Sequence, residues 1–325
     1  MSTNKPYLNH LSGPKDLVTT HEEQREGFLA LAFEKGNRMT PFINEAKVLK
    51  QAVRATKNPR ELMQIPSIQR ALLKAAGVSE KAEPYLSLND KENAKKELIK
   101  NFLEPAGANF IDELLYRFLL TQGDALGGIM RNIGGLWGKI KFLDMLRAAL
   151  RNSGLNYEVL LRGDRTWKNN DTESYPSSNL KTIKWIKGSA SSSQDDKIRT
   201  LVLDINIKIV GKNVDISLFR GTSKNLSDPY YHVPTNFICL GELKGGIDPA
   251  GADEHWKTGN SALQRIRDSF DLMGVSPYTF FVGAAIENSM ASEIWEQLQK
   301  GKLSNVANLT KPSHMEALCL WILDL

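Results

Sequence analysis

An α/β fold, with a mixed central sheet flanked by helices and a helical region ahead of it, is predicted by three observations on the 325-residue sequence. In residues 201–221 two runs of alternating apolar side chains, Leu201/Leu203/Ile205/Ile207/Ile209 and Val214/Ile216/Leu218, are broken at Gly211-Lys212-Asn213, the pattern of a β-hairpin. In residues 233–257 the apolar run Phe237-Ile238-Cys239-Leu240 enters Glu242-Leu243-Lys244, then a Gly-Gly-Ile-Asp-Pro-Ala-Gly turn, then an acidic helix start carrying His255. Residues 278–286 form a nearly continuous apolar run, as expected of a strand covered on both faces. With the amphipathic segment 252–273 the order is strand, strand, strand, helix, strand.

Ahead of this core the pattern is helical. Phe28, Leu29, Leu31 and Phe33, then Phe42, Ile43, Ala46, Leu49 and Val53, have helical spacing, and the interruption from Gly36 to Pro41 predicts two helices. Residues 59–76 continue the pattern, bent or broken at Pro66. Lys81 lies in a polar stretch, and residues 90–103 form a short helix behind an Asn-Asp cap. We divide the chain into a helical domain, 1–105, and an α/β domain, 106–325.

Residues 110–120 are apolar at helical spacing. The glycine-rich stretch that follows precedes a clean helix over 136–151. A phosphate-binding loop is excluded there: the position five before Gly138-Lys139 is Ile133, and Ile140 follows the pair. The glycines instead suit close approach of a helix or turn to another backbone. Asp124 and Arg131 are the residues of this stretch that could reach a metal-bound phosphate. Residues 163–194 are polar, with Asn169-Asn170-Asp171, Pro176-Ser177-Ser178 and a loop at Ser191-Ser192-Ser193 flanking a short LKTIKWIKG, and Trp167 and Trp185 beside lysines are a candidate nucleic-acid surface. Residues 290–301 read as a helix and 315–325 as a final strand or helix.

Composition limits the function classes. Hydrophobic residues make up 41% and the net charge is +5, values of a mildly basic globular protein. Two cysteines, Cys239 and Cys319, imply neither a disulfide framework nor a zinc cluster. No signal core or bilayer-length apolar run is present, so a cytoplasmic protein is expected.

The chemistry converges on Glu242-Leu243-Lys244. Alternate strand residues share a face, so Glu242 and Lys244 set an acid beside a base. The spacing alone is weak, since it recurs at Glu45-Ala46-Lys47. Asp215, between Val214 and Ile216, faces away from their apolar side and offers a second carboxylate to a metal. Of five histidines, only His255 follows such a site, and imidazole titrates where a general base is useful. Its neighbours Asp253 and Glu254 suit a helix N-terminus.

This arrangement resembles the PD-(D/E)xK nuclease core. Gly123–Gly135, GDALGGIMRNIGG, and Gly241–Thr258, GELKGGIDPAGADEHWKT, resemble the type II restriction endonucleases of the AvaI and BsoBI kind over most of the chain. The family's first acid often follows proline; here Val214 precedes Asp215, which leaves Asp204 as a second candidate. The resemblance implies Mg²⁺ held by Asp215, Glu242 and the Leu243 carbonyl, with Lys244 and His255 completing the catalytic set. It implies base contacts from Lys81 and Asp248, and a homodimer in a restriction-modification system that cuts double-stranded DNA at CYCGRG to leave 5′ overhangs. A DNA-binding protein without chemistry and a repair or junction nuclease on the same core stay open, because fold alone does not choose among them.

Overall fold

The computed structural model describes residues 5–169, 175–187, 197–221 and 232–325; the polar Asn170-Asp171 pair and the Ser191–Ser193 loop lie outside them. The chain forms two compact units, residues 29–132 and residues 1–28 together with 133–325.

In the unit of residues 29–132 the elements are helical. Helix α1, His21–Val53, runs through Pro41 without a break, where two helices were expected. Proline removes one donor, the one that would reach the Asn37 carbonyl, and one lost bond does not outweigh propagation along 33 residues. Pro66 does break the next segment: 3₁₀ turns at Pro59–Gln64 and Pro66–Ile68 precede α2, Gln69–Ala75. Helix α3, Leu88–Leu98, is capped by Ser87 and not by the Asn-Asp pair; the Ser87 hydroxyl accepts from the Asp90 N–H while the Asp90 carboxylate accepts from the Ser87 N–H. Leu49, Val53, Leu62, Leu72, Leu98 and Phe118 close this unit's core.

Helix α4, Phe110–Asn152, is continuous through the glycines that were expected to delay it. Each glycine costs about 1 kcal/mol against alanine in a helix. Burial of large side chains such as Phe118, Leu126, Phe142 and Leu146 offsets this, at about 1.5–3 kcal/mol each.

Among the described residues the larger unit is built on an eight-stranded sheet. Its strands are β1 Tyr157–Leu161, β2 Lys168–Asn169, β3 Leu180–Ile186, β4 Ile198–Ile207, β5 Lys212–Arg220, β6 Phe237–Lys244, β7 Tyr278–Gly283 and β8 Asn305–Asn308, in the order β2-β1-β3-β4-β5-β6-β7-β8. The β4–β5 hairpin is antiparallel, β5–β6 is antiparallel, and β6–β7 and β7–β8 are parallel, so β6 is where the sheet changes direction. Parallel neighbours need crossovers, supplied by α5, Ala252–Asp271, and α6, Asn288–Gln299. The C-terminal apolar segment resolves as a helix, α7, Pro312–Asp324. Phe280 and Phe281 show why β7 is apolar throughout. Phe280 meets Phe142 of α4 and Trp321 of α7, whereas Phe281 meets Trp256 of α5, so consecutive side chains are covered on opposite faces. Among the described residues no helix is long and apolar enough to cross a membrane.

Candidate active site

Strand β6 ends with Glu242 buried to 4% exposure and Lys244 half-buried, their side chains joined by a 3.2 Å contact from Lys244 Nζ to Glu242 Oε2. Asp215 reaches the same strand end from β5: its Oδ2 accepts from the Leu243 N–H at 3.0 Å. The predicted trio Asp215, Glu242 and Lys244 is therefore assembled, and the Leu243 peptide lies between the two acids. Burial, with the charge of Asp215 behind it, pushes the Glu242 carboxyl up to about 7 in spite of Lys244. Two carboxylates that resist joint ionisation form a place where a cation is favoured.

Glycines set the spacing around this strand end. A Cβ on Gly245 would lie 2.1 Å from the Gly134 carbonyl oxygen, and one on Gly138 would lie 2.7 Å from a Leu243 methyl. Two glycines one turn apart in α4 thus let the helix rest on the backbone that follows Lys244. The close approach expected of the glycine-rich stretch is found here, at the sheet. A Cβ on Gly246 would lie 2.5 Å from His255 Cε1, so the His255 ring packs directly on the turn after Lys244. Its Nδ1 is buried without a hydrogen-bond partner among the described residues. On the next turn of α5, Gly259 gives room to the Lys244 stem.

The oxygens that could hold a cation at this strand end, two carboxylates and a main-chain carbonyl, would fit a hard cation such as Mg²⁺ better than zinc. Among the described residues no group of three or more His, Cys, Asp or Glu side chains is arranged around a metal position. A cation here would depend on the acid pair, main chain and water, the way Mg²⁺ is usually held.

Comparison with known proteins identifies the lineage. The family described as Restriction endonuclease BsobI matches residues 7–325. The chain belongs to that family. It is 47% identical over 321 residues to the type II restriction enzyme AvaI of Nostoc sp. (strain PCC 7120 / SAG 25.82 / UTEX 2576), covering 98% of this chain and 100% of that one. The AvaI of Anabaena variabilis matches to the same extent. The type II restriction enzyme BsoBI of Geobacillus stearothermophilus is 48% identical over 326 residues, with 100% of both chains covered. This BsoBI-family chain is a type II restriction endonuclease.

Other predicted residues of the endonuclease lie elsewhere. Asp248 is exposed in the turn before α5, where its Oδ1 accepts from the Ala250 N–H at 2.9 Å. Lys81, Asp124 and Arg131 are exposed residues of the helical unit. Trp185 is 1% exposed in β3 and offers no stacking surface, which corrects the reading of a Trp167–Trp185 platform; Trp167 is covered by the Lys184 ammonium at 4.4 Å. His314 is buried in α7 against the ring of His10, and burial drops it to about 4.

Asp204, the second candidate for the first acid, sits on β4 with its carboxylate on Lys139 Nζ and 3.3 Å from Arg162 Nη2. Lys139 was not predicted. Its partner Asp204 is 65 residues away, so no local pattern marks it.

Proposed function

We propose that this endonuclease hydrolyses double-stranded DNA at a short degenerate palindrome, CYCGRG, in a Mg²⁺-dependent reaction that leaves 5′ overhangs. The observation that carries this reading is the buried Glu242, pushed up to about 7 beside Asp215, with Lys244 at 3.2 Å on the same strand end. Full-length likeness to AvaI and BsoBI supports the choice of substrate. Asp215, Glu242 and the Leu243 carbonyl would hold the cation. When bound, Mg²⁺ neutralises charge at the scissile phosphate and acidifies water.

The chain's own groups supply the remaining steps. Lys244 sets its ammonium toward the phosphate and orients the attacking water, a charge aimed where negative charge develops. His255, against the turn glycines, accepts the water's proton at its imidazole. Lys81 and Asp248 read bases; a carboxylate at Asp248 accepts from cytosine N4. Residues 1–105 embrace DNA and contribute dimer contacts, while residues 106–325 carry the chemistry. A homodimer matches a palindrome, since protein and site then share a two-fold axis. The proposed setting is the bacterial cytoplasm.

Incubation of a plasmid with the protein and Mg²⁺ tests the reading. Discrete fragments ending in 5′ overhangs at CYCGRG are expected, with none in excess EDTA. A smear would point to a non-specific nuclease, shifts without cuts to a binding protein, and full activity in EDTA would remove the metal.

A further inference from the structure

Lys139 extends from α4 to a position between two carboxylates. Its Nζ contacts Asp204 Oδ1 of β4 and lies 3.2 Å from Asp215 Oδ1 of β5. The second Asp215 oxygen is taken by the Leu243 N–H at 3.0 Å, so both oxygens of Asp215 are engaged. Asp204 is anchored in turn. It is the one described non-glycine residue with positive φ, at 51°, and the carbonyls of Leu203 and Asp204 both accept from Lys181 Nζ. A left-handed aspartate in mid-strand is uncommon and persists where its surroundings hold it. Here it aims the carboxylate at Lys139 and Arg162.

We infer that Lys139 is a positioning residue of the nuclease centre, a built-in cation between Asp204 and Asp215. Asp204 is the anchor of Lys139 and not a metal ligand, and Asp215 with Glu242 holds a single divalent cation. The inference depends on the proposed reading of Asp215 and Glu242 as the metal-binding acids. Three acids without an internal cation would collect more than one ion. Lys139 neutralises one face of Asp215 and leaves the face toward Glu242 for the metal. Lys139 also ties the position of Asp215 to α4, the helix whose Gly134 and Gly138 rest on the turn after β6.

The charges give opposite signs to two substitutions, which a merely structural lysine would not. Mn²⁺ binding to the full-length protein is measured by electron paramagnetic resonance, without DNA, for wild type, Lys139→Met, Asp204→Asn and Glu242→Ala. Wild type is expected to bind one ion per chain, and Glu242→Ala to lose it. Lys139→Met removes a competing cation and should tighten binding about tenfold and add a second ion. Asp204→Asn leaves Lys139 to Asp215 alone and should weaken binding about tenfold, the effect of one charge contact worth about one pKa unit. Asp204→Asn keeps the inference testable if Lys139→Met does not fold. Loss of the ion in Glu242→Ala with wild-type binding in the other two variants overturns the role of Lys139 and leaves the nuclease centre standing. Wild type without a bound ion overturns both.

Discussion

Glu242 and Asp204 are both carboxylates of the central sheet, partly or wholly out of solvent, and they are displaced in opposite directions. Glu242 is pushed up to about 7 by burial and by Asp215. Asp204 feels burial too, but its bond to Lys139 and the charge of Lys139, then Arg162, bring it below the ordinary carboxylate range. Lys139 and Arg162 already meet the charge of Asp204, whereas Lys244 does not bring Glu242 down against burial and Asp215. The acid left beside another acid is the one whose ionised form a metal would stabilise, which favours Asp215 with Glu242, and not Asp204, as the metal-binding pair.

Cleavage should divide the two acids most sharply. Glu242→Ala is expected to lower the rate of cutting a CYCGRG duplex by at least about 10⁴-fold, the scale of several kcal/mol of transition-state stabilisation. Asp204→Asn should cost only about 10–100-fold, as for groups that orient a ligand without being one. In Glu242→Ala, gel shifts should still prefer CYCGRG over a scrambled duplex, and melting should be unchanged or raised. A lower melting temperature would instead mark Glu242 as the structural partner of Lys244, left as an unpaired charge. His255→Ala should fall between, at about 10²–10⁴-fold at neutral pH, with normal folding. Near-wild-type rates across pH 6 to 8 would return His255 to an ordinary first-turn histidine and leave Lys244 to handle the water.

The same contrast fixes opposite pH slopes of stability in metal-free protein. Unfolded Glu242 releases its proton near 4.5, whereas the folded protein holds it to about 7. Across that window the native state binds more protons than the unfolded state, so stability falls as pH rises, by on the order of 1–3 kcal/mol. Thermal melts in EDTA at pH 5 and pH 8 should show the drop, and Glu242→Gln should flatten it. Asp204 has the reverse sign. Its folded pKa lies below 3.8, so its contribution is present above that value and lost as pH falls through the folded one. Asp204→Asn should remove part of the acid limb and lower stability evenly across the neutral range, leaving the slope there unchanged. Equal slopes in both variants would erase the distinction between the acids.

The legibility of the sequence follows the range of its interactions. The β4–β5 hairpin, β6, α5 and β7 were readable because alternation and turn residues are local, and they bring Asp215, Glu242 and Lys244 together. The short strands β1, β2, β3 and β8 were not predicted as strands. Strand β2 is two residues long, and β8 is four residues without alternation, fully buried where α7 and the 3₁₀ turn at Pro6–Asn9 pack on it. Helices α1 and α4 were cut by Pro41 and the glycines, since local propensity cannot see the packing that overrides it. Lys139 is the same failure at the site: a lysine acquires its role only when β4 and β5 bring Asp204 and Asp215 beside it.

Those glycines give the smallest effects, again with opposite signs. Gly245→Ala places a methyl 2.1 Å from the Gly134 carbonyl, so α4 must shift away from the strand end and take Lys139 with it. Overpacking of this kind costs about 1–3 kcal/mol and should lower the melting temperature together with the cleavage rate. Gly123 lies earlier in α4 and is exposed, and a Cβ there would meet nothing within 4 Å among the described residues. Only helix propensity remains at that position. Gly123→Ala should therefore stabilise the protein by about 0.8–1 kcal/mol, read as a small rise in the urea midpoint with an unchanged slope, and should leave the rate of cleavage at wild type. A loss of cutting without a loss of stability would mean that the helix needs Gly123 for a close approach made only when DNA is bound, and the glycine-rich stretch would then act along its whole length and not only where it touches Gly245.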